Sequence, residues 1–126
     1  MLKPYSQDLC ILEEMKEHNK LVRDKIPQIC QAHGDMPTTR IIEDDAEYLR
    51  ALTVKLGEEA AEIQQDPSLE ELADALEVVY SIGRALCYTP EQIEQARAQK
   101  AKERGGFDGR VFLISTQSQG RHSNIV

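Results

Sequence analysis

The sequence contains no tryptophan, and its 126 residues include only two phenylalanines and four tyrosines. So few aromatic rings argue against a surface on which nucleic-acid bases stack. The net charge of −7 also argues against binding to a nucleic-acid backbone. A bound cation can nevertheless reverse the local field for a small anion. We therefore expect a small-molecule ligand and no nucleic-acid polymer.

Cysteine is scarce as well, with three residues at the widely spaced positions 10, 30 and 87. An odd number at such spacing fits reduced thiols better than a disulfide framework. The histidines at 18, 33 and 122 show no metal-ligand spacing. The opening residues MLKPYSQDLC lack an apolar signal-peptide core, and no apolar run approaches membrane-spanning length. We therefore expect a cytoplasmic protein that does not associate with membranes.

The chain does contain a succession of helical patterns with clear start and stop signals. Ser6, Asp44, Asp66 and Thr89 are candidate caps at helix starts, and glycines follow two of the helices. Residues 40–42 and 111–114 have extended character and could pair as strands. The predicted helices span residues 6–18, about Asp24 to Gly34, about Asp44 to Gln65, Pro67 to about Cys87, and Pro90 to Gly105.

The length is that of one domain, with enough residues to build one hydrophobic core. We predict a mainly α fold, a helical bundle of about four to five helices with at most a short two-stranded β element. Residues 1–18 are expected to form an N-terminal extension with a candidate helix, and residues 19–114 the domain. The polar residues 115–126 have a composition typical of a disordered tail.

Four carboxylates stand out in the segment KLGEEAAEIQQDPSLEELADALEVVY. Glu59 and Glu62 lie three residues apart on one predicted helix, and Glu71 and Asp74 are spaced in the same way on the next. A step of three keeps two side chains on one face of a helix, and a tight turn would bring the pairs together. Four anionic oxygen ligands suit a hard divalent cation, Mg²⁺ or Mn²⁺. The natural substrate of such a site is a polyphosphate.

Helical geometry sets each pair beside the apolar stripe of its helix. At about 100° per residue, Glu59 and Glu62 lie roughly 60° and 120° from Leu56, on the same side of it. Glu71 and Asp74 are likewise displaced to one side of their stripe. Antiparallel packing would place both pairs at one edge of the core. The predicted stripes are Leu49, Leu52, Leu56, Ala60 and Ile63 on one helix, and Leu69, Leu72, Leu76, Val79, Ile82 and Leu86 on the next.

The same residues also have a structural interpretation, because glutamate is common on solvated helix faces. Lys55 lies four residues before Glu59 and can form an ion pair with it. Ser68 and Glu71 have the spacing of a capping box, which would give Glu71 a purely structural role. The spacing by itself leaves both interpretations open.

Together with further motifs, the carboxylates give the chain a resemblance to the MazG-like all-α nucleoside-triphosphate pyrophosphohydrolases, and most to their phosphoribosyl-ATP pyrophosphohydrolase-like branch. The superfamily pattern E-E-x-x-E followed by E-x-x-D matches Glu58-Glu59-x-x-Glu62 and Glu71-x-x-Asp74. Three blocks match the branch: NKLVRDKIP, TRIIEDDAEYLRALTVKLGEE and KAKERGGFDGRVFL, so the resemblance covers about residues 19–113. The link between the pairs is shorter than MazG proper tends to have, which favours the smaller branch.

The resemblance implies that Glu59, Glu62, Glu71 and Asp74 bind Mg²⁺, with Mn²⁺ as a substitute, and that Glu59 and Glu62 are catalytic. Glu58 is a candidate for a place just outside the direct ligands or beside a second metal ion. The resemblance further implies that basic residues contact the substrate phosphates, although composition alone would make them solvated charges. These residues are Arg23, Lys25, Lys100 and Arg104.

The expected function is Mg²⁺-dependent hydrolysis of a nucleoside triphosphate to a monophosphate and pyrophosphate, which would clear unwanted or non-standard nucleotides. One alternative is phosphoribosyl-ATP hydrolysis in histidine biosynthesis. An alternative of another class is a non-catalytic helical protein whose acidic face binds a basic partner. We also expect a homodimer or a higher homo-oligomer, as the resemblance implies and as the apolar residues of the helical hairpin favour.

Overall fold

The computed structural model describes residues 15–118, and the regular structure in this range consists of α-helices alone. They are α1 (Ile26–Ala32), α2 (Asp45–Gln65), α3 (Leu69–Ala85) and α4 (Pro90–Arg104). The predicted mainly α, helical-bundle fold is confirmed. Within the same range, none of the helices combines the length and the apolar character that crossing a bilayer requires.

The chain forms two compact units, with the boundary between Thr89 and Pro90. Helices α1, α2 and α3 belong to the first unit, in which α2 and α3 pack against each other as a hairpin. Helix α4 belongs to the second unit, and residues 110–118 after it have no regular secondary structure. The carboxylates selected from the sequence all lie on the hairpin of the first unit.

Two of the predicted elements do not form as expected. Residues 15–18 are not helical, and the rest of the predicted helix at 6–18 lies outside the described residues. The predicted strands at 40–42 and 111–114 were wrong, because neither segment pairs with another. Arg40 instead donates two hydrogen bonds to the Glu47 carboxylate, at 3.2 and 2.6 Å, which ties its segment to the first turn of α2. A stretch of three or four residues is too short to be stable as a strand without a sheet to join.

Helix α2 begins where its capping signal predicts. The Asp44 carboxylate accepts a hydrogen bond from the Glu47 backbone N–H at 2.9 Å, and the helix runs to Gln65 as expected. The predicted start of α3 was wrong. Its cap is Ser68, whose hydroxyl accepts from the Glu71 N–H at 3.3 Å, while Asp66 closes the end of α2.

Two helices of the first unit end in the same way. After α1, Gly34 has φ +89° and Asp35 donates its N–H to the Cys30 carbonyl at 2.9 Å, which is a Schellman ending. After α3, Cys87 has φ +66° and the Tyr88 N–H reaches the Gly83 carbonyl at 2.7 Å. The predicted stop at Gly34 is confirmed, whereas α3 ends at Ala85, two residues before the predicted Cys87.

The packing face of α3 matches the predicted stripe only in part, because Val79 and Ile82 are half-buried but the leucines of the stripe are exposed. Leu69, Leu72 and Leu76 were expected in the core, but their exposures are 82%, 55% and 49%. The face turned to α2 instead carries Val78, which is buried, and the half-buried Asp74. Helix α3 has apolar residues on two faces, and α2 covers only one of them. We call the uncovered Leu69, Leu72 and Leu76 the leucine face.

We expect Leu52→Ala to lower the free energy of unfolding by about 2–5 kcal/mol, because its side chain is only 3% exposed in the α2–α3 seam. The matched control is Val54→Ala on the same helix, at a side chain that is 63% exposed. We expect the control to change stability by less than about 0.5 kcal/mol. Urea unfolding of both variants measures the difference, and equal losses would contradict this account of the core.

Candidate metal centre

Three carboxylates from two helices converge on the α2–α3 hairpin. Glu59 on α2 and Glu71 and Asp74 on α3 each offer one oxygen, and these oxygens lie within 4.8 Å of one another. Glu59 is only 8% exposed, and the other two are half-buried. We call these three residues the acidic trio.

The hairpin geometry explains why residues so far apart in the sequence meet. Only residues 66–68 link α2 to α3, and a link of this length makes the two helices antiparallel neighbours. Glu59 lies six residues before the end of α2, and Asp74 lies five residues after the start of α3. At 1.5 Å per residue these positions are about 9 and about 8 Å from the turn, and therefore at similar heights.

Glu71 lies in unfavourable electrostatic surroundings for a carboxylate. Its pKa is raised, first by partial burial and then by the negative charges of neighbouring carboxylates. These are, in decreasing order of effect, Asp74, Glu62, Glu59 and Asp66. A cation placed among these groups would relieve the repulsion that raises the pKa of Glu71.

Glu62 and Glu58 lie beside the trio rather than within it. Glu62 is exposed, and it is close enough for its charge to raise the pKa of Glu71. Glu58 is half-buried, and its carboxylate lies 3.9 Å from the Lys20 ammonium and 3.8 Å from that of Lys55. The metal-ligand role of Glu62 and the more distant role of Glu58 stay predictions.

Basic side chains already neutralise part of this acidic group. The Arg23 guanidinium donates a hydrogen bond to the Asp74 carboxylate at 2.7 Å. The Lys55 ammonium lies 3.6 Å from the Glu59 carboxylate, so the structural pair expected from the sequence does form. The expected Ser68 cap on the Glu71 N–H forms too. Each member of the trio therefore also takes part in a contact that stabilises the fold.

The predicted phosphate contacts divide between the two units of the chain. Arg23 reaches the trio through Asp74, and Lys25 is exposed at the start of α1. Lys100 and Arg104 are exposed on the last turns of α4, in the second unit. Lys20, in the block NKLVRDKIP, is not among the residues selected from the sequence. Its ion pair with Glu58 brings it to the edge of the acidic group.

The donor chemistry of the trio fits Mg²⁺ or Mn²⁺. All three donors are carboxylate oxygens, which hard divalent cations prefer, and no thiol or imidazole takes part. Opposite ligands of a Mg²⁺ ion lie about 4 Å apart. A spread of 4.8 Å is therefore within reach of small rotations of flexible side chains. The residues present are compatible with the ion that the sequence pattern suggests.

No protein-family model and no solved structure matches this chain. An uncharacterized protein of Mycolicibacterium smegmatis is 46% identical to it over 55 residues, which make up 40% of this chain and 55% of that protein. The chain thus spans about half the length of the curated relative it matches. Because that protein is itself uncharacterized, the similarity carries no information on activity.

Proposed function

We propose that this chain is a Mg²⁺-dependent nucleoside triphosphate pyrophosphohydrolase, which converts a triphosphate to a monophosphate and pyrophosphate. The observation that carries the proposal is the convergence of the acidic trio, whose oxygens lie within 4.8 Å of one another. The trio belongs to the pattern E-E-x-x-E and E-x-x-D on which the resemblance to MazG-like enzymes rests. Clearing unwanted or non-standard nucleotides in the cytoplasm is the role that fits this activity.

Glu59, Glu71 and Asp74 would hold the ion, and Glu62 would complete the ligand set. The cation, when bound, supplies positive charge for the polyphosphate oxygens and makes a nearby water more acidic. An antiparallel hairpin is a suitable support, because two packed helices fix the backbone of all the ligands. Glu59 is the most buried member of the trio.

The remaining chemistry belongs to side chains around the trio. A carboxylate that is not fully committed to the ion can orient or deprotonate the attacking water. Glu62 suits this role, because it is exposed and stands beside the trio. Basic side chains would stabilise the negative charge that develops on the leaving pyrophosphate. Arg23, one of the predicted phosphate contacts, is hydrogen-bonded to Asp74 of the trio.

The proposal predicts pyrophosphate release from at least one ribo- or deoxyribonucleoside triphosphate with Mg²⁺, and none with EDTA. A panel of triphosphates tests this and ranks the substrates in the same experiment. Release from phosphoribosyl-ATP alone would establish the histidine-biosynthesis alternative. A thermal melt with Mg²⁺ and with EDTA completes the test, because a ligand at 100 times its Kd adds about 2.7 kcal/mol of stability.

Absence of both pyrophosphate release and Mg²⁺-dependent stabilisation would contradict the proposal. The acidic surface would then be better explained as the binding face of a non-catalytic helical protein for a basic partner. The two readouts separate the cases, because a metal-binding protein with the wrong substrate would still be stabilised by Mg²⁺.

We also propose that the chain forms a homodimer or a higher homo-oligomer. The support is the leucine face of α3, where Leu69, Leu72 and Leu76 are exposed although they follow one another at helical spacing. A second copy presents the same leucines, so that a two-fold axis would cover both faces at once.

A further inference from the structure

The contact between Arg23 and Asp74 joins two distant parts of the first unit. Arg23 precedes α1, and 51 positions separate it from Asp74 on α3. The guanidinium Nη2 donates to Oδ1 of Asp74 at 2.7 Å, a length typical of a charge-assisted hydrogen bond. Asp74 is also a member of the acidic trio. One carboxylate therefore faces both a guanidinium and the position of the proposed divalent cation.

A guanidinium and a divalent cation beside the same carboxylate repel each other, because both are positively charged and only a few ångströms apart. Within residues 15–118, Arg23 and Lys55 are the basic residues that contact the trio, and Arg23 can leave more easily. Its side chain is 55% exposed, whereas that of Lys55 is 18% exposed. Lys55 also lies on the same helix as its partner Glu59, so the helix backbone holds the two together.

We propose that Arg23 and the divalent cation compete for Asp74, so that filling the metal centre releases the guanidinium to bind the substrate's phosphate groups. This inference rests on the proposed function for the presence of both ligands. Under this competition, the divalent cation and the phosphate groups each favour the binding of the other. A phosphate group that binds Arg23 removes the guanidinium that competes with the metal ion for Asp74. Such coupling is reciprocal, and each ligand raises the affinity of the other by the same factor.

If Arg23 instead positioned Asp74 for metal binding, removing its guanidinium would weaken metal binding rather than strengthen it. Hydrogen bonds to a metal-binding carboxylate often orient it, and their loss typically weakens metal binding by 10- to 100-fold. Competition predicts instead that removing the guanidinium strengthens metal binding. The expected gain is about two- to fivefold, because an ion pair between half-exposed side chains contributes little free energy.

The test is the titration of Mn²⁺ into the full chain by calorimetry, for the wild type, Arg23→Gln and Arg40→Gln. Arg40→Gln removes the same charge, from an ion pair with Glu47 that lies twelve residues before Glu59, about 18 Å along α2. We expect Arg23→Gln to bind Mn²⁺ about two- to fivefold more tightly than the other two proteins. We expect its affinity for inorganic tripolyphosphate, at a fixed concentration of free Mn²⁺, to fall by at least as much.

Equal Mn²⁺ affinity in Arg23→Gln and the wild type would overturn the competition, and weaker affinity would assign Arg23 to positioning Asp74. Failure of the proposed metal centre has a separate signature. In that case the wild type binds no Mn²⁺, or Asp74→Asn binds it as well as the wild type does. Circular dichroism of each variant verifies that the substitution leaves the helices in place.

Discussion

Glu59→Gln is expected to lower Mg²⁺-dependent pyrophosphate release by at least about 10²- to 10³-fold, which is the scale for losing a group that stabilises transition-state charge. The carboxylate of Glu59 lies within 4.8 Å of those of Glu71 and Asp74, and it is the most buried of the three. A glutamine of nearly equal shape keeps one oxygen but loses the negative charge that attracts the cation. The measurement is the rate of pyrophosphate release at saturating Mg²⁺.

The fold should survive this substitution. Without metal, Glu59 is repelled by its neighbours in the trio and attracted by Lys55, whose ammonium lies 3.6 Å away. Removing its charge affects both interactions, so their contributions to stability largely offset each other. We therefore expect a melting temperature without metal close to that of the wild type. The rise in melting temperature on adding Mg²⁺ should be lost.

The matched control is Glu70→Gln. Glu70 is exposed on α3, directly beside Glu71 in the sequence, and its removal changes the net charge by the same amount. We expect this variant to retain wild-type release and wild-type stabilisation by Mg²⁺. Equal losses in both variants would mean that overall charge, rather than the trio, governs the activity. Full activity in Glu59→Gln would remove Glu59 from the site.

The start of α2 and the end of α1, which local sequence dictates, were predicted well. The start of α2 depends on Asp44 and the Glu47 N–H three residues later, and the end of α1 depends on Gly34 at positive φ. Both signals act within a few residues, and a single chain segment is enough to identify them. The convergence of Glu59 with Glu71 and Asp74 followed from the same local rules, combined with a tight turn between two helices.

Local sequence signals did not predict which face of α3 packs against α2. Leu52 and Glu59 lie seven residues apart on the buried face of α2, and Glu71 and Val78 have the same spacing on α3. The sequence stripe was instead centred on Leu72, which is turned about 100° from Glu71. Two apolar faces satisfy the same periodicity, and only packing against α2 decides which one the chain buries.

Contacts between distant segments could not be predicted from the sequence either, because they also depend on how the chain packs. No periodic pattern connects Arg23 with Asp74, which is 51 residues later, or Lys20 with Glu58. These ion pairs depend on where the segment before α1 lies along the hairpin. Sequence reasoning selected Arg23 as a phosphate contact, and the structure adds that its guanidinium is already bonded to a member of the trio.

The double substitution Leu72→Asp and Leu76→Asp is expected to convert the proposed homo-oligomer to a monomer. Both leucines lie on the leucine face, with exposures of 55% and 49%. Each leucine is already about half buried in the single chain, so its further burial contributes about half of the roughly 1.5–3 kcal/mol of a full side chain. A two-fold dimer loses four such leucines, about 3–6 kcal/mol in all, which raises the dissociation constant by about 10²- to 10⁴-fold. Sedimentation equilibrium over a range of concentrations measures this change directly.

The monomeric variant should remain folded, because α2 packs on the opposite face of α3, where Val78 is buried. Aspartate at an exposed helical position costs less than about 1 kcal/mol in helix propensity. Val54→Asp is the control, since it places the same charge at a side chain of α2 that is 63% exposed and lies outside the leucine face. Dissociation of both variants alike would point to charge repulsion between copies. Dissociation of the double variant alone would assign the interface to α3. A wild type that sediments as a monomer at every concentration would contradict the proposed oligomer.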